Sequence, residues 1–109
     1  MDQTYYGNGE LETEVIRAPD GSFSRYFYNV DGTLRWVRHH GPDGRVHRDG
    51  GPAVIWYFND GKTLSLEAYY CRGQYHREGA PAILWYSKEG EVCHREWYLK
   101  GEEVSPNTL

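Results

Sequence analysis

The chain has 109 residues, a formal net charge of −4 and an aromatic-rich composition, with ten Tyr, four Trp and three Phe. That length suits one domain, and an acidic balance argues against a nucleic-acid binder, which needs a basic surface. No run of about 18 apolar residues is present to span a membrane, and Cys71 and Cys93 make no disulfide framework.

The opening stretch MDQTYYGNGE lacks the basic and apolar regions of a secretion signal, and Asp2 excludes N-myristoylation. The expectation is a cytoplasmic protein with reduced thiols. Tyr5-Tyr6-Gly7-Asn8-Gly9 then introduces an aromatic-turn element that recurs three times. It returns as Phe27-Tyr28-Asn29-Val30-Asp31-Gly32, as Trp56-Tyr57-Phe58-Asn59-Asp60-Gly61 and as Trp85-Tyr86-Ser87-Lys88-Glu89-Gly90. The last two sit inside a longer repeat. Residues 47–61 read HRDGGPAVIWYFNDG and residues 76–90 read HREGAPAILWYSKEG, at an offset of 29 with no gap. Self-similarity at such a period marks a repeat architecture. A second glycine follows each turn glycine, at Gly21, Gly44, Gly73 and Gly101. The units are approximately 3–21, 23–44, 52–73 and 81–101, with a tail over 102–109.

Asn-Gly and Asp-Gly favour a two-residue type I′ turn, so each unit reads as a β-hairpin. That turn would set Tyr57 opposite Leu64, Ile55 opposite Leu66, Tyr86 opposite Cys93 and Leu84 opposite Arg95. Strict alternation then gives the third hairpin a core face of Ala53, Ile55, Tyr57, Leu64, Leu66 and Ala68. Val54, Trp56, Phe58, Thr63, Ser65 and Glu67 occupy the other. A tyrosine stands four residues before every turn glycine (Tyr5, Tyr28, Tyr57, Tyr86), which predicts a column across the sheet. Between hairpins run Pro-Asp-Gly turns, a short link over Ser22–Arg25, and two His-Arg-acid-Gly-small-Pro-Ala links. Residues 105–109 read as a frayed end. The predicted fold is all-β: an antiparallel meander of about four stacked hairpins, single-layered or nearly so.

These residues resemble the MORN repeat, and more closely its bacterial variant in YwqK-type antitoxin proteins, over roughly residues 4–101. The first unit, YYGNGELETEVIRAPDG, is similar to that variant, and the His-Arg-x-Gly-x-Pro-Ala link resembles a subtype of it. The spacing of 29 residues and the missing His-Gly dipeptide depart from an ordinary MORN array. The resemblance implies a stacked hairpin meander with a binding role.

Five histidines and two cysteines do not follow zinc-site spacing, so no metal is expected. Cys93 and His94 are adjacent on a strand and point to opposite faces, which removes a Cys-His nucleophile. Glu67 and Glu96 recur at matching positions, but a general acid and base need different environments, so a glycosidase pair is not expected. His47-Arg48 and His76-Arg77 read first as scaffold, each histidine bonding a neighbouring turn and each arginine pairing with an acid or stacking on a tryptophan. Read functionally, they form a row of guanidinium groups, extended by Arg25, Arg35, Arg38 and Arg45, that grips carboxylate or phosphate. Trp36, Trp56 and Trp85 are expected on the face opposite the core.

The expected function is a non-enzymatic protein-binding module without cofactor or catalytic residue. Its most concrete form is a small stoichiometric inhibitor: an antitoxin or immunity protein, or a phage-type anti-defence protein. The partner is another protein, bound through Trp56, Trp85, Arg48, Arg77, His47, His76 and Trp36. The alternative is a ligand-binding repeat module for glycans or anionic head groups. The edge ending Trp97-Tyr98-Leu99 is expected to recruit a second copy or another strand.

Overall fold

A computed structural model describes residues 2–106. It is an open antiparallel meander, measuring 50 × 36 × 17 Å. The strands are β1 (Gln3–Tyr5), β2 (Leu11–Arg17), β3 (Phe23–Tyr28), β4 (Leu34–His40), β5 (Val54–Tyr57), β6 (Leu64–Ala68), β7 (Tyr70–Cys71), β8 (Gln74–Tyr75), β9 (Ile83–Tyr86), β10 (Val92–Leu99) and β11 (Glu102–Val104). Nine form one sheet in the order β1-β2-β3-β4-β5-β6-β9-β10-β11, and β7 with β8 makes a small hairpin of its own. The four expected hairpins are β1–β2, β3–β4, β5–β6 and β9–β10. Phe23–Arg25, expected as link, are the start of β3.

The aromatic-turn elements do form hairpins, but not through type I′ turns. Gly9, Gly32, Gly61 and Gly90 donate N–H to the carbonyls of Tyr6, Asn29, Phe58 and Ser87 at 2.9–3.0 Å. The glycines have positive φ, whereas Asn8, Asp31, Asp60 and Glu89 do not. This is a type I turn closed by a left-handed glycine. The residue before the glycine therefore acts through its side chain. Asn8, Asp31 and Asp60 accept the N–H of the residue two positions on, Glu10, Thr33 and Lys62. Glu89 is tolerated because its φ is not left-handed. The two-residue loops with both central residues at positive φ lie elsewhere, at Arg72-Gly73 (φ 51 and 83) and Lys100-Gly101 (φ 50 and 85).

The register changes with the turn. Each first-type hairpin carries one extra residue after its glycine: Glu12, Arg35, Ser65 and Cys93 fall at the irregularities in pairing. A bulge shifts every later side chain to the other face. Tyr57 opposite Leu64 and Leu84 opposite Arg95 hold, but Ile55 meets Glu67 and Tyr86 meets Val92. The predicted core face is thus split. Leu66 and Ala68 join Val54 and Trp56 on the front face, while Ile55 and Tyr57 share the back face with Glu67. The four-tyrosine register does recur, with Tyr5, Tyr28, Tyr57 and Tyr86 opposite Leu11, Leu34, Leu64 and Val92.

The buried cluster is small: Val54, Ala68 and Ile83 on the front face, covered by Val46, Leu66, Tyr70, Tyr75, Trp85 and Tyr98, while Val37, opposite Ile55 on the back face, and Ala53 and Ala82 are buried outside it. No large side chain is fully buried among the described residues. The β7–β8 hairpin supplies part of the cover, Tyr70 and Tyr75 lying 4.6 Å apart and Tyr75 and Tyr98 5.0 Å apart. The expected exposed edge at Trp97–Leu99 is not an edge: these residues pair with Val104–Glu102 of β11, so part of the predicted tail closes the sheet.

Candidate functional site

Cross-strand pairing sets a continuous row on the front face: Phe27, Trp36, Trp56, Leu66, Trp85 and His94, each directly opposite the next. The three tryptophans share one face as expected, but it is the face that holds the buried cluster, not the one opposite it. Phe27 stacks on Trp36 at 4.0 Å, and Trp85 meets the His94 ring at 4.9 Å. Trp56, at the middle of the row, is 48% exposed. Trp85 is half-buried against the cluster, so it carries fold as well as surface.

One step along the strands lies a second row: Val15, Arg25, Arg38, Val54, Ala68, Ile83 and Glu96. Arg25 and Arg38 face each other directly across β3 and β4. The Arg38 guanidinium lies 4.7 Å from the Trp36 ring centre and that of Arg25 lies 5.8 Å from Phe23. Between Trp56 and Trp85 the two rows enclose a cleft of about 250 Å³. Val54, Leu66, Ala68 and Ile83 form its floor, and Tyr70, Tyr75 and Arg38 its end wall. Burial, aided by a hydrogen bond with Tyr75, holds the Tyr70 phenol protonated well above its usual range.

The repeated links converge on a second cleft of about 390 Å³, lined by His47, Arg48, His76 and Arg77 with Tyr69, Tyr70 and Cys71. Here the repetition has a structural cause. His47 Nδ1 accepts the Arg72 N–H at 3.1 Å, and His76 Nδ1 accepts the Lys100 N–H at 3.0 Å. Each histidine therefore holds one of the two left-handed turns, the neighbouring-turn contact expected of it. That bond leaves the ring proton on Nε2, which lies 3.2 Å from Asp49 in the first link and 3.8 Å from Glu78 in the second. Among the described residues Arg48 and Arg77 neither pair with an acid nor stack on a tryptophan. Arg48 and Arg77 donate from Nη1 to the carbonyls of Pro52 and Pro81 at 3.2 and 3.1 Å, closing their own links, and Arg77 lies 3.9 Å over Tyr69.

Around the sheet end, His39 and His40 are both held below the ordinary histidine range. Burial dominates for each. His39 falls to about 4, helped by the charge of Arg48; His40 is pushed down further by Arg25 and Arg38, against a bond to the Gly44 carbonyl. His40 Nε2 is buried with no partner among the described residues. Glu67 and Glu96 do not make a pair. The third turn is one residue longer, with Phe58 N–H bonding the Thr63 carbonyl, so Glu67 sits on the back face with Tyr86 and Glu96 on the front with His94 and Tyr98. No group of three His, Cys, Asp or Glu side chains converges among the described residues.

Of the sequence-predicted site residues, the structure brings Trp36, Trp56 and Trp85 together in one row and His47, Arg48, His76 and Arg77 together in the link cleft. Tyr70 lines both clefts and so joins the two sets. The arginines beside the tryptophans are Arg25 and Arg38, two residues from Phe27 and Trp36 on their strands. That period-2 spacing places them on the tryptophan face rather than in the link row. No family model, curated protein or solved structure matches the chain.

Proposed function

We propose that this chain is a non-enzymatic protein-binding module that acts as a small stoichiometric inhibitor of the antitoxin, immunity or anti-defence kind. The observation that carries the reading is the front-face row, with Trp56 exposed at its middle beside a cleft. Tryptophan, tyrosine and arginine dominate the energetics of protein recognition, and all three line this cleft. An apolar patch in a thin sheet with so small a core costs solubility unless something covers it. The inhibitor form is supported by the resemblance to antitoxin-type repeats.

The test is capture from host or infected lysate with wild type and Trp56→Ala. Trp56 is the clean substitution because Trp85→Ala would also uncover Val54 and Ile83, and circular dichroism checks that the variant folds. One stoichiometric protein, held by wild type and lost or weakened at least about tenfold in the variant, is the expected result. Undiminished capture by Trp56→Ala would remove the front face from the reading. A ligand-binding role toward glycans or anionic head groups is the second reading, favoured by two arginines in the link cleft. No captured protein, together with phosphate binding lost in Arg77→Gln, would put it first.

A further inference from the structure

The front face sets two like charges side by side, their guanidinium groups turned apart over Phe23 and Trp36. Arg25 and Arg38 are directly opposite on adjacent strands. Like charges so placed are destabilising. Neither takes part in any ion pair among the described residues, although the chain carries 16 acidic residues. The acids in their own row are both engaged elsewhere: Asp2, opposite Val15 and two strands from Arg25, pairs with Arg17, and Glu96, four strands from Arg38 or roughly 19 Å at the usual strand spacing, is held by His94 and Tyr98. Packing explains the guanidinium stacking on Phe23 and Trp36 but not the choice of two cations over one.

From this uncompensated pair, and resting on the protein-binding reading above, we propose that the front face recognises a partner segment presenting a carboxylate beside a bulky aromatic side chain. Arg38, which lines the cleft, takes the carboxylate, Arg25 swings from Phe23 across the strand pair to join it, and the aromatic group enters the cleft between Trp56 and Trp85. Arg38 belongs to both subsites, because it also forms the cleft's end wall. The cleft suits one large side chain: at about 250 Å³ it is smaller than the roughly 300–1,000 Å³ of small-molecule sites, and its floor is apolar. An anion seated across the pair would turn mutual repulsion into two charge-assisted bonds. Arg38 in the wall also selects against a cationic guest, which the four surrounding aromatic rings would otherwise welcome. A nucleic acid fits less well. The net charge of −4 repels a polyanion over long range, and two cations are too few for a backbone track.

Selection of random displayed peptides on the immobilised protein tests this without the natural partner. The expected peptides place Asp or Glu next to Phe, Tyr or Trp. A synthetic copy should bind about tenfold more weakly to Arg25→Gln/Arg38→Gln, weaken with added salt, and be lost with Trp56→Ala. Arg38→Met, which keeps the stem over Trp36, replaces the glutamine if that variant fails to fold. Aromatic peptides without acids, indifferent to the arginine changes, would overturn the proposal yet leave the protein-binding face standing. Failure to recover any peptide sensitive to Trp56→Ala would overturn both. Oligo-dT binding tighter than the peptide and displacing it would also overturn the proposal, in favour of a nucleic-acid face.

Discussion

At the scale of single residues, function and stability pull apart at Arg25 and Arg38. Removing one charge of a directly opposed pair relieves repulsion, so Arg25→Gln should hold or raise the midpoint of thermal unfolding. The gain should be a few tenths of a kcal/mol and should shrink as salt is added. A loss above about 1 kcal/mol, insensitive to salt, would mean that the stacking of Arg25 on Phe23 is structural and outweighs the repulsion. His39 gives a second residue-scale test. Its ring is half-buried, with Nδ1 2.7 Å from Ser24 Oγ, and its pKa lies at about 4 instead of 6.5. Below pH 6.5 the unfolded chain takes up a proton that the folded chain refuses. Stability is therefore complete above that value and is lost as pH falls toward about 4. The half-solvated ring limits the loss to about 1–2 kcal/mol. Urea unfolding at neutral and mildly acidic pH should show a shallower dependence in His39→Gln, though not a flat one, because burial depresses His40 in the same direction. An unchanged dependence would remove His39 from the account.

At the scale of elements, the left-handed turns at Arg72-Gly73 and Lys100-Gly101 are each held from the preceding link. The residue before each glycine is not glycine, asparagine or aspartate, so the turn carries backbone strain that the histidine bond offsets. His47→Ala and His76→Ala should each cost about 1 kcal/mol. Lys100→Asn should recover most of the loss in the second variant, since asparagine suits the left-handed position. Chemical denaturation of the single and double variants checks both; no recovery would mean that the histidine acts by packing alone. The same elements mark what could be read from sequence. The hairpins and their order were legible, because the glycine pairs and the strand-like flanks repeat. Bulges at Glu12, Arg35, Ser65 and Cys93 were not, because they come from the type of turn, and Asp-Gly serves both a type I′ turn and a type I turn closed by glycine. One residue of difference moved Leu66 and Ala68 to the tryptophan face and brought Glu67 to the other. The tryptophan row was legible as a shared face. The pairing of Arg25 with Arg38 was hidden until register was fixed.

At the scale of the whole molecule, an open meander must keep its two edges from pairing with other chains. The edges are β1 and β11, each three residues long, and the pairing of β1 is interrupted beside Tyr5 by the bulge at Glu12 of β2. Strand β11 answers the hazard at Trp97–Leu99 by covering those residues, and it exposes Glu102 and Glu103 in their place. Two copies meeting antiparallel along β11 would bring four carboxylates together, and like charges across a strand pair oppose its formation. Charge at Glu102 and Glu103 is therefore expected to oppose edge pairing between copies. Glu102→Thr/Glu103→Thr should self-associate, with strand pairing visible as an increase in sheet signal with concentration. Sedimentation of wild type at neutral pH should give a monomer under the same conditions. A wild-type dimer that persists in high salt and in Trp56→Ala would show that association uses neither the guarded edge nor the tryptophan row. A variant that stays monomeric would show that the short length of β11, not its charge, protects the sheet.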